Sequence, residues 1–278
     1  MLPVVEDHSV SKNVIISGGA RGIGRTLSRS FLEAGHNVFI FDIDEEELKH
    51  TTTVHLTEYL QDQRLGSALC NLRDVQEIRK KVVEAAHFNN QIDVLINNGG
   101  IASPYWKDGK TMEDPATIGE WQAYMDTNLT GPFAMSQACI PYMKAPGADQ
   151  VNGAGPCITH IGSFRAHQSD PNQEGYASSK AGQLGLMHSM AISLGHLGIR
   201  VNLIAPGRIK VAHESREGDE MGADWEGQVS EKDIEDHPTN RAGRPKDIAD
   251  AALYLVDAGF ITGQDITVDG GALRKKKS

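Results

Sequence analysis

Ser17-Gly18-Gly19-Ala20-Arg21-Gly22-Ile23-Gly24 stands between an apolar run at 13–17 (NVIIS) and a helical pattern at 23–34. A strand that ends in a glycine-rich turn and opens a helix is an anion cradle. Glycine lets the turn be tight and lets a pyrophosphate approach the backbone, and the first helical N–H groups and the positive end of the helix dipole face it. The spacing is G-x-x-x-G-x-G rather than G-x-G-x-x-G, so the strand–turn–helix context carries the reading. Asp42 closes the next apolar run (37–41, NVFIF), near the offset of roughly 20 residues expected of an acid that holds an adenosine ribose. Its carboxylate can accept from both ribose hydroxyls and repels a 2′-phosphate, so NAD is expected over NADP. Arg21, a cation beside the turn, argues the other way and carries less weight.

Outward from this turn the pattern repeats. Apolar runs at 13–17, 37–41, 68–70, 92–96, 156–161, 200–204 and 265–268 read as strands, and 23–34, 44–60, 74–88, 118–143, 176–196 and 247–256 read as helices. Near-continuous apolar strands alternating with helices predict an α/β fold of Rossmann type: a doubly wound, parallel, seven-stranded sheet with helices on both faces. These elements use most of the chain, so one domain is expected, with its core at about 12–272. Two stretches break the pattern. Residues 145–155 (APGADQVNGAG) read as a surface loop. Residues 208–240 are polar and acidic and follow the sixth strand, at the sheet edge where ligands bind. A mobile lid with few core contacts is expected there.

Composition narrows the function classes. The 278 residues carry a formal charge of −10, which argues against nucleic acid and anionic membrane as partners. The basic tail Arg274-Lys275-Lys276-Lys277 reads as a solvated end. Cys70, Cys139 and Cys157 are odd in number and lack metal-ligand spacing, so buried thiols and no metal are expected. No apolar signal core or membrane-length run is present, and the expected setting is cytoplasmic.

Tyr176 and Lys180 lie four apart in a helical pattern and share a face, and Ser163 precedes them. A phenol beside a cation, with a hydroxyl to hold a substrate oxygen, is a proton-transfer device. An ammonium about 4 Å from the phenol, at an effective dielectric of about 20, would favour phenolate by about 4 kcal/mol, or about three pH units.

With these motifs in place, the chain resembles the short-chain dehydrogenase/reductases over residues 12–272, nearly its whole length. The resemblance implies a catalytic set of Asn128 (in MDTNLTGPF), Ser163, Tyr176 and Lys180. Asn128 would hold a relay water linked to Lys180, and Lys180 would also bind the nicotinamide ribose. It implies cofactor contacts from Gly18, Arg21, Gly22, Ile23, Gly24, Asp42, Asn71, Leu72, Asn98, Gly99, Tyr176, Lys180, Pro206, Gly207 and Ile209. Three positions depart from the family pattern. Gly99 replaces an alanine in Asn97-Asn98-Gly99-Gly100, which should only loosen the turn. Asn71 stands where an aspartate meets the adenine, and Val211 stands near where a threonine meets the phosphates. A homodimer or homotetramer is implied, built partly on the small residues Ala177, Ser178, Ser179, Ala181, Gly182 and Gly185.

The implied activity is NAD(P)-dependent hydride transfer on a secondary alcohol or ketone. Tyr105, Trp106, Arg165, His167, Gln168, His213, Arg216 and Trp225 are expected to wall the pocket, which suits a sugar, a polyol or a functionalised ketone. A polyketide or aromatic ketone suits them equally. Other readings are a dinucleotide-binding regulator without catalysis and an epimerase or dehydratase of the extended branch. The latter carries a larger substrate domain than this chain has room for.

Overall fold

The computed structural model describes residues 11–143 and 154–275. The loop expected at 145–155 and the basic tail fall largely or partly outside them. Seven strands form one sheet in the order β3-β2-β1-β4-β5-β6-β7, every neighbouring pair parallel. They are β1 (Asn13–Ser17), β2 (Asn37–Asp42), β3 (Leu65–Leu69), β4 (Val94–Asn97), β5 (Cys157–Ile161), β6 (Arg200–Pro206) and β7 (Asp265–Val268). Successive side chains of a strand face opposite ways, so the apolar runs feed two cores. Ile15, Phe39, Phe41, Leu95, Ile158 and Leu203 face one side. Val14, Ile16, Val38, Ile40, Val94, Ile96 and Ile204 face the other.

Helices α1 (Gly22–Glu33), α2 (Glu45–His50), α3 (Thr57–Gln61), α4 (Val75–Asn89), α5 (Thr117–Met125), α6 (Gly131–Cys139) and α7 (Glu174–Ser193) come first in the chain. The short α8 (Arg216–Glu220) and α9 (Glu231–Glu235) follow, then α10 (Pro245–Asp257). Leu27 and Phe31 of α1 and Ile248 and Leu255 of α10 close one core. Ile78 and Val82 of α4, Met135 of α6 and Met187 of α7 close the other. The strand order reverses beside β1, and the crevice opens at the carboxyl ends of β1 and β4, the usual ligand position in such sheets.

Two expected long helices are interrupted. Residues 44–60 hold a π-turn at Thr51–His55. There the hydroxyls of Thr52 and Thr53 bond the Leu48 and Lys49 carbonyls and Thr51 bonds Ala20, competition that weakens the regular backbone pattern. Residues 118–143 hold a second π-turn at Asp126–Thr130. Pro132 lies just beyond it and has no N–H to offer a preceding turn. Strand β3 begins earlier than expected, because Gly66 and Ser67 disguise it. A side chain at Gly66 would meet the Phe39 ring at 2.6 Å. No helix among the described residues is long and apolar enough to cross a membrane. The three cysteines are buried and unbridged, and burial pushes the Cys70 thiol up to about 12 and Cys157 to about 11.

Candidate active site

The glycine turn is shaped by contact as well as by conformation. Gly18 and Gly22 have φ of +63° and +57°. A side chain at Gly18 would meet Gly99 Cα at 2.5 Å, and one at Gly24 would overlap the Gly18 carbonyl. Asn98 fastens the turn to β4 by donating Nδ2 to the Gly18 carbonyl at 2.7 Å, and Gly99 N–H donates to Ser17 Oγ at 3.1 Å. Gly99 is therefore a tight fit and does not loosen the turn: an added Cβ would lie 2.7 Å from Leu72 Cδ1.

Asp42 stands at the rim. Its Oδ2 accepts from Ala20 N–H at 3.0 Å, and its Oδ1 accepts from Ile43 and Asp44 N–H at 2.8 and 3.1 Å. Three backbone donors thus fix the carboxylate. Arg21 is exposed and has no hydrogen bond or ion pair from its side chain among the described residues. Asn71 Oδ1 accepts from Arg73 N–H at 3.0 Å.

A cleft of about 1220 Å³ runs from this turn to Tyr176. Every residue expected to touch a cofactor lines it: Gly18, Arg21, Gly22, Ile23, Gly24, Asp42, Asn71, Leu72, Asn98, Gly99, Tyr176, Lys180, Pro206, Gly207 and Ile209. Ser163 lines it as well. Asn128 does not; it is fully buried behind the cleft. Its side chain accepts from Ile101 N–H at 2.8 Å and donates to the Ile101 carbonyl and Ser179 Oγ. Its backbone carbonyl accepts from Gln183 Nε2 at 2.5 Å. These contacts pack Asn128 against Ile101, Ser179 and Gln183.

Ser163 Oγ accepts from Arg165 N–H at 3.1 Å and hydrogen-bonds Tyr176. The Tyr176 ring meets Tyr124 edge-on at 6.2 Å. Lys180 is buried, donates to the Ile161 carbonyl at 2.9 Å and stands 5.7 Å from the Tyr176 ring centre. The expected acidification does not arise in this geometry. Burial raises the Tyr176 pKa above its ordinary value, against the opposing Ser163 hydrogen bond and Arg165 charge. Burial also lowers Lys180 to about 8. Desolvation outweighs the attraction because the ammonium is drawn to a carbonyl rather than to the phenol oxygen.

None of the eight residues expected to wall the substrate pocket lines this cleft. Trp106 is core, donating Nε1 to Glu174 and packing on Tyr124. Arg165 pairs with Asp170, and His167 pairs with Asp265 at 2.5 Å. Trp225 donates to the Gly243 carbonyl and lies under Arg244. Arg216 pairs with Glu46, and His213 bonds Gln228. Tyr105 is exposed and Gln168 lies on the surface. The cleft is lined instead by Ile101, Ala102, Ser103, Ala212, Met221 and Ala223 together with the polar Arg73, Thr127, Glu214, Ser215 and Glu217, and Val211 lies beside Gly22 of the glycine turn. Most of these residues sit in irregular segments, which carry no periodic signal to single them out.

The segment after β6 is tied down. Arg25 of α1 is 1% exposed. It donates Nε to Glu214 at 2.7 Å, Nη1 to Asp219 at 2.6 Å and Nη2 to the His213 carbonyl at 2.8 Å. Arg29 pairs with Glu214 as well. The π-turn at Thr51–His55 brings His50 and His55 together, and both reach Asp219 Oδ2, at 2.9 and 2.5 Å. Their ligand atoms and that of Asp219 lie within 4.8 Å of one another, a grouping hidden in sequence, and Arg25 shares the same carboxylate. Burial opposes the charge on Asp219, but Arg25, His55 and His50 outweigh it and hold the carboxyl at about 2. The Glu214 carbonyl accepts from Gly22 N–H at 2.6 Å. Residues 213–219 are thus tied to α1 and to the glycine turn, while nearly all of 220–240 is exposed or half-buried.

Comparison with known proteins agrees with this geometry. The family model described as Enoyl-(Acyl carrier protein) reductase matches residues 18–272. The 3-oxoacyl-(acyl-carrier-protein) reductase FabG of Chlamydia trachomatis is 32% identical over 265 residues, covering 94% of this chain and 97% of that protein. A 7α-hydroxysteroid dehydrogenase solved with NADH and 7-oxo glycochenodeoxycholic acid superposes with a TM-score of 0.76 at 30% identity, covering 94% of each chain. ElxO with NADP bound superposes with a TM-score of 0.77 at 26% identity, covering 95% of this chain and 100% of that one. A glycine turn and a serine–tyrosine–lysine set joined by one cleft, matched along nearly the whole sequence, place the chain in the short-chain dehydrogenase/reductase family of oxidoreductases.

Proposed function

We propose that the protein is an NAD-preferring oxidoreductase that interconverts a secondary alcohol and a ketone. The carrying observation is the environment of Tyr176. The phenol stands beside Ser163 and open to the cleft, placed to exchange a proton with a substrate oxygen held there. Bound nicotinamide would supply or accept the hydride. The glycine cradle, where added side chains at Gly18 or Gly24 would collide with the backbone, fits its pyrophosphate. Ser163 holds the substrate oxygen, Tyr176 protonates it, and Lys180 keeps a positive charge behind the phenol. Ile101, Ala102 and Met221 offer an apolar flank to such a ketone, and Ser103 and Glu217 on the same cleft suit a polar group elsewhere on it.

A panel of ketones and alcohols tests this, with NADH, NADPH and their oxidised forms followed by absorbance. It should include acetoacetyl-coenzyme A and a 7-oxo bile acid. Turnover of at least one apolar-flanked ketone is expected. Cofactor binding without turnover on any member would favour a regulator.

The Asp42 carboxylate, fixed by three backbone donors, cannot swing away from a 2′-phosphate without losing them. Like charges so placed cost several kcal/mol. We expect kcat/KM with NADH to exceed that with NADPH about a hundredfold, equivalent to about 2.7 kcal/mol. Asp42→Ala should narrow that gap, and Arg21→Ala should leave the NADH kinetics nearly unchanged. A native preference for NADPH would make Arg21 the phosphate ligand instead.

Assembly into a dimer or tetramer is also expected. Ile118, Phe133 and Ile192 are 70%, 49% and 84% exposed on α5, α6 and α7, apolar side chains that an interface on these helices would cover. Gly175 and Gly182 contribute differently, since they admit Trp106 and Leu129 within the chain. Light scattering that gives the monomer mass at micromolar concentration would contradict the assembly.

A further inference from the structure

The inner side of the Tyr176–Lys180 pair is closed by a residue whose type the proton chemistry does not require. Gln183 lies three residues beyond Lys180 on α7 and is 1% exposed. Its Nε2 donates to the Asn128 carbonyl at 2.5 Å, and its Oε1 accepts from Lys180 Nζ at 3.3 Å. The partners fix the orientation of the amide, because only its NH2 can face a carbonyl and only its oxygen can face an ammonium. The Asn128 carbonyl is open to such a donor for a reason written in the sequence. The residue four further on, which would supply the α-helical N–H, is Pro132.

We propose that Gln183 is a positioning residue for the acid–base pair: its amide bridges the Asn128 carbonyl and the Lys180 ammonium and holds the ammonium from behind. The catalytic part of this proposal rests on the oxidoreductase reading above; the effect on Lys180 does not. Lys180 has no carboxylate partner among the described residues, and its acceptors are the Ile161 carbonyl and Gln183. The groups around it are Tyr176 on its own helix, Asn128 and Ser179 behind, and His160 on β5. Beyond Tyr176 stand Ser163 and Arg165. Burial, with the Lys180 charge, pushes His160 down to about 4, so it is neutral and adds no charge of its own. An ammonium held only by neutral oxygens depends strongly on each of them.

The test titrates Lys180 directly. Protein carrying Cε-labelled lysine is followed by carbon NMR with saturating NADH, with Lys180→Met to identify the signal. The wild-type midpoint is expected near about 8. Gln183→Leu removes the acceptor and should lower the midpoint by about one pH unit, the size of a hydrogen bond to a charged group. Gln183→Glu supplies a charged acceptor and should raise it by at least as much. A midpoint unmoved in the leucine variant, or moved the same way in both, overturns the proposal. NADH binding within about twofold of wild type checks that each variant keeps the fold.

Kinetics with acetoacetyl-coenzyme A form the second arm. The alkaline limb of kcat should shift in the same opposite senses, with little change in KM for NADH. A limb that ignores the NMR order overturns the catalytic part. If the wild type turns over no ketone while the NMR shifts appear, the oxidoreductase reading fails and the positioning of Lys180 stands.

Discussion

Replacing Tyr176 with phenylalanine lowers turnover by about 10²–10⁴-fold, the range typical of losing a general acid, while NADH binding and folding persist. Only one oxygen is removed, and the ring keeps its edge-on contact with Tyr124. The pH dependence should differ as well. Lys180, lowered by burial to about 8, is charged below that pH and neutral above it, so wild-type activity should decline as pH rises through about 8. The phenylalanine variant has no phenol for the ammonium to serve, and its residual rate should cross that range with little change. Near-wild-type turnover in Tyr176→Phe, measured with any ketone the enzyme reduces, would remove the phenol from the mechanism.

Arg25→Met is expected to destabilise the protein by about 3 kcal/mol, because it strips a buried carboxylate of one cation and leaves Arg29 alone to hold it. For a chain of this size that corresponds to about 6–12 °C in Tm. Hydrogen exchange across 208–240 should accelerate much more than exchange in the sheet. Acid sensitivity supplies a sign that can be checked. Asp219 has a folded pKa of about 2, below its ordinary 3.8. The stability it contributes is present above pH 4 and drains away as pH falls from about 4 to about 2. In Arg25→Met, denaturation profiles should show a shallower loss over that window. Wild-type melting and exchange in this variant would mean that the cluster holds nothing in place.

The sheet and the cofactor end of the cleft were legible in the sequence because each rests on local signals. Strand and helix periodicity set the layers, and glycines at 18, 22 and 24 marked the turn. Asp42 stood at the end of β2, and Tyr176 and Lys180 shared one helix face. The reading faltered where long-range packing decides. Thr51–His55 and Asp126–Thr130 sit inside stretches of good helical composition, and their π-turns depend on hydroxyls and a proline acting on neighbouring carbonyls. Trp106 and Arg165 looked like pocket walls by their position near Ser163 and the Asn-rich turn, but Glu174 and Asp170 draw them away. The ties of residues 213–219 are invisible in the sequence because their partners, Arg25, His50 and His55, lie far back in the chain. For Tyr176, proximity in sequence supplies the cation but not the burial that opposes it and sets the direction of the shift.

Arg25 and Glu214 meet across 189 residues of sequence, so two distant stretches of the chain are coupled energetically. Substitutions at 25, 214 and 219 are expected to be non-additive in double-mutant cycles, because each removes a partner the others share. The Glu214 carbonyl also accepts from Gly22 N–H, so the same group ties the first turn of α1 to the segment after β6.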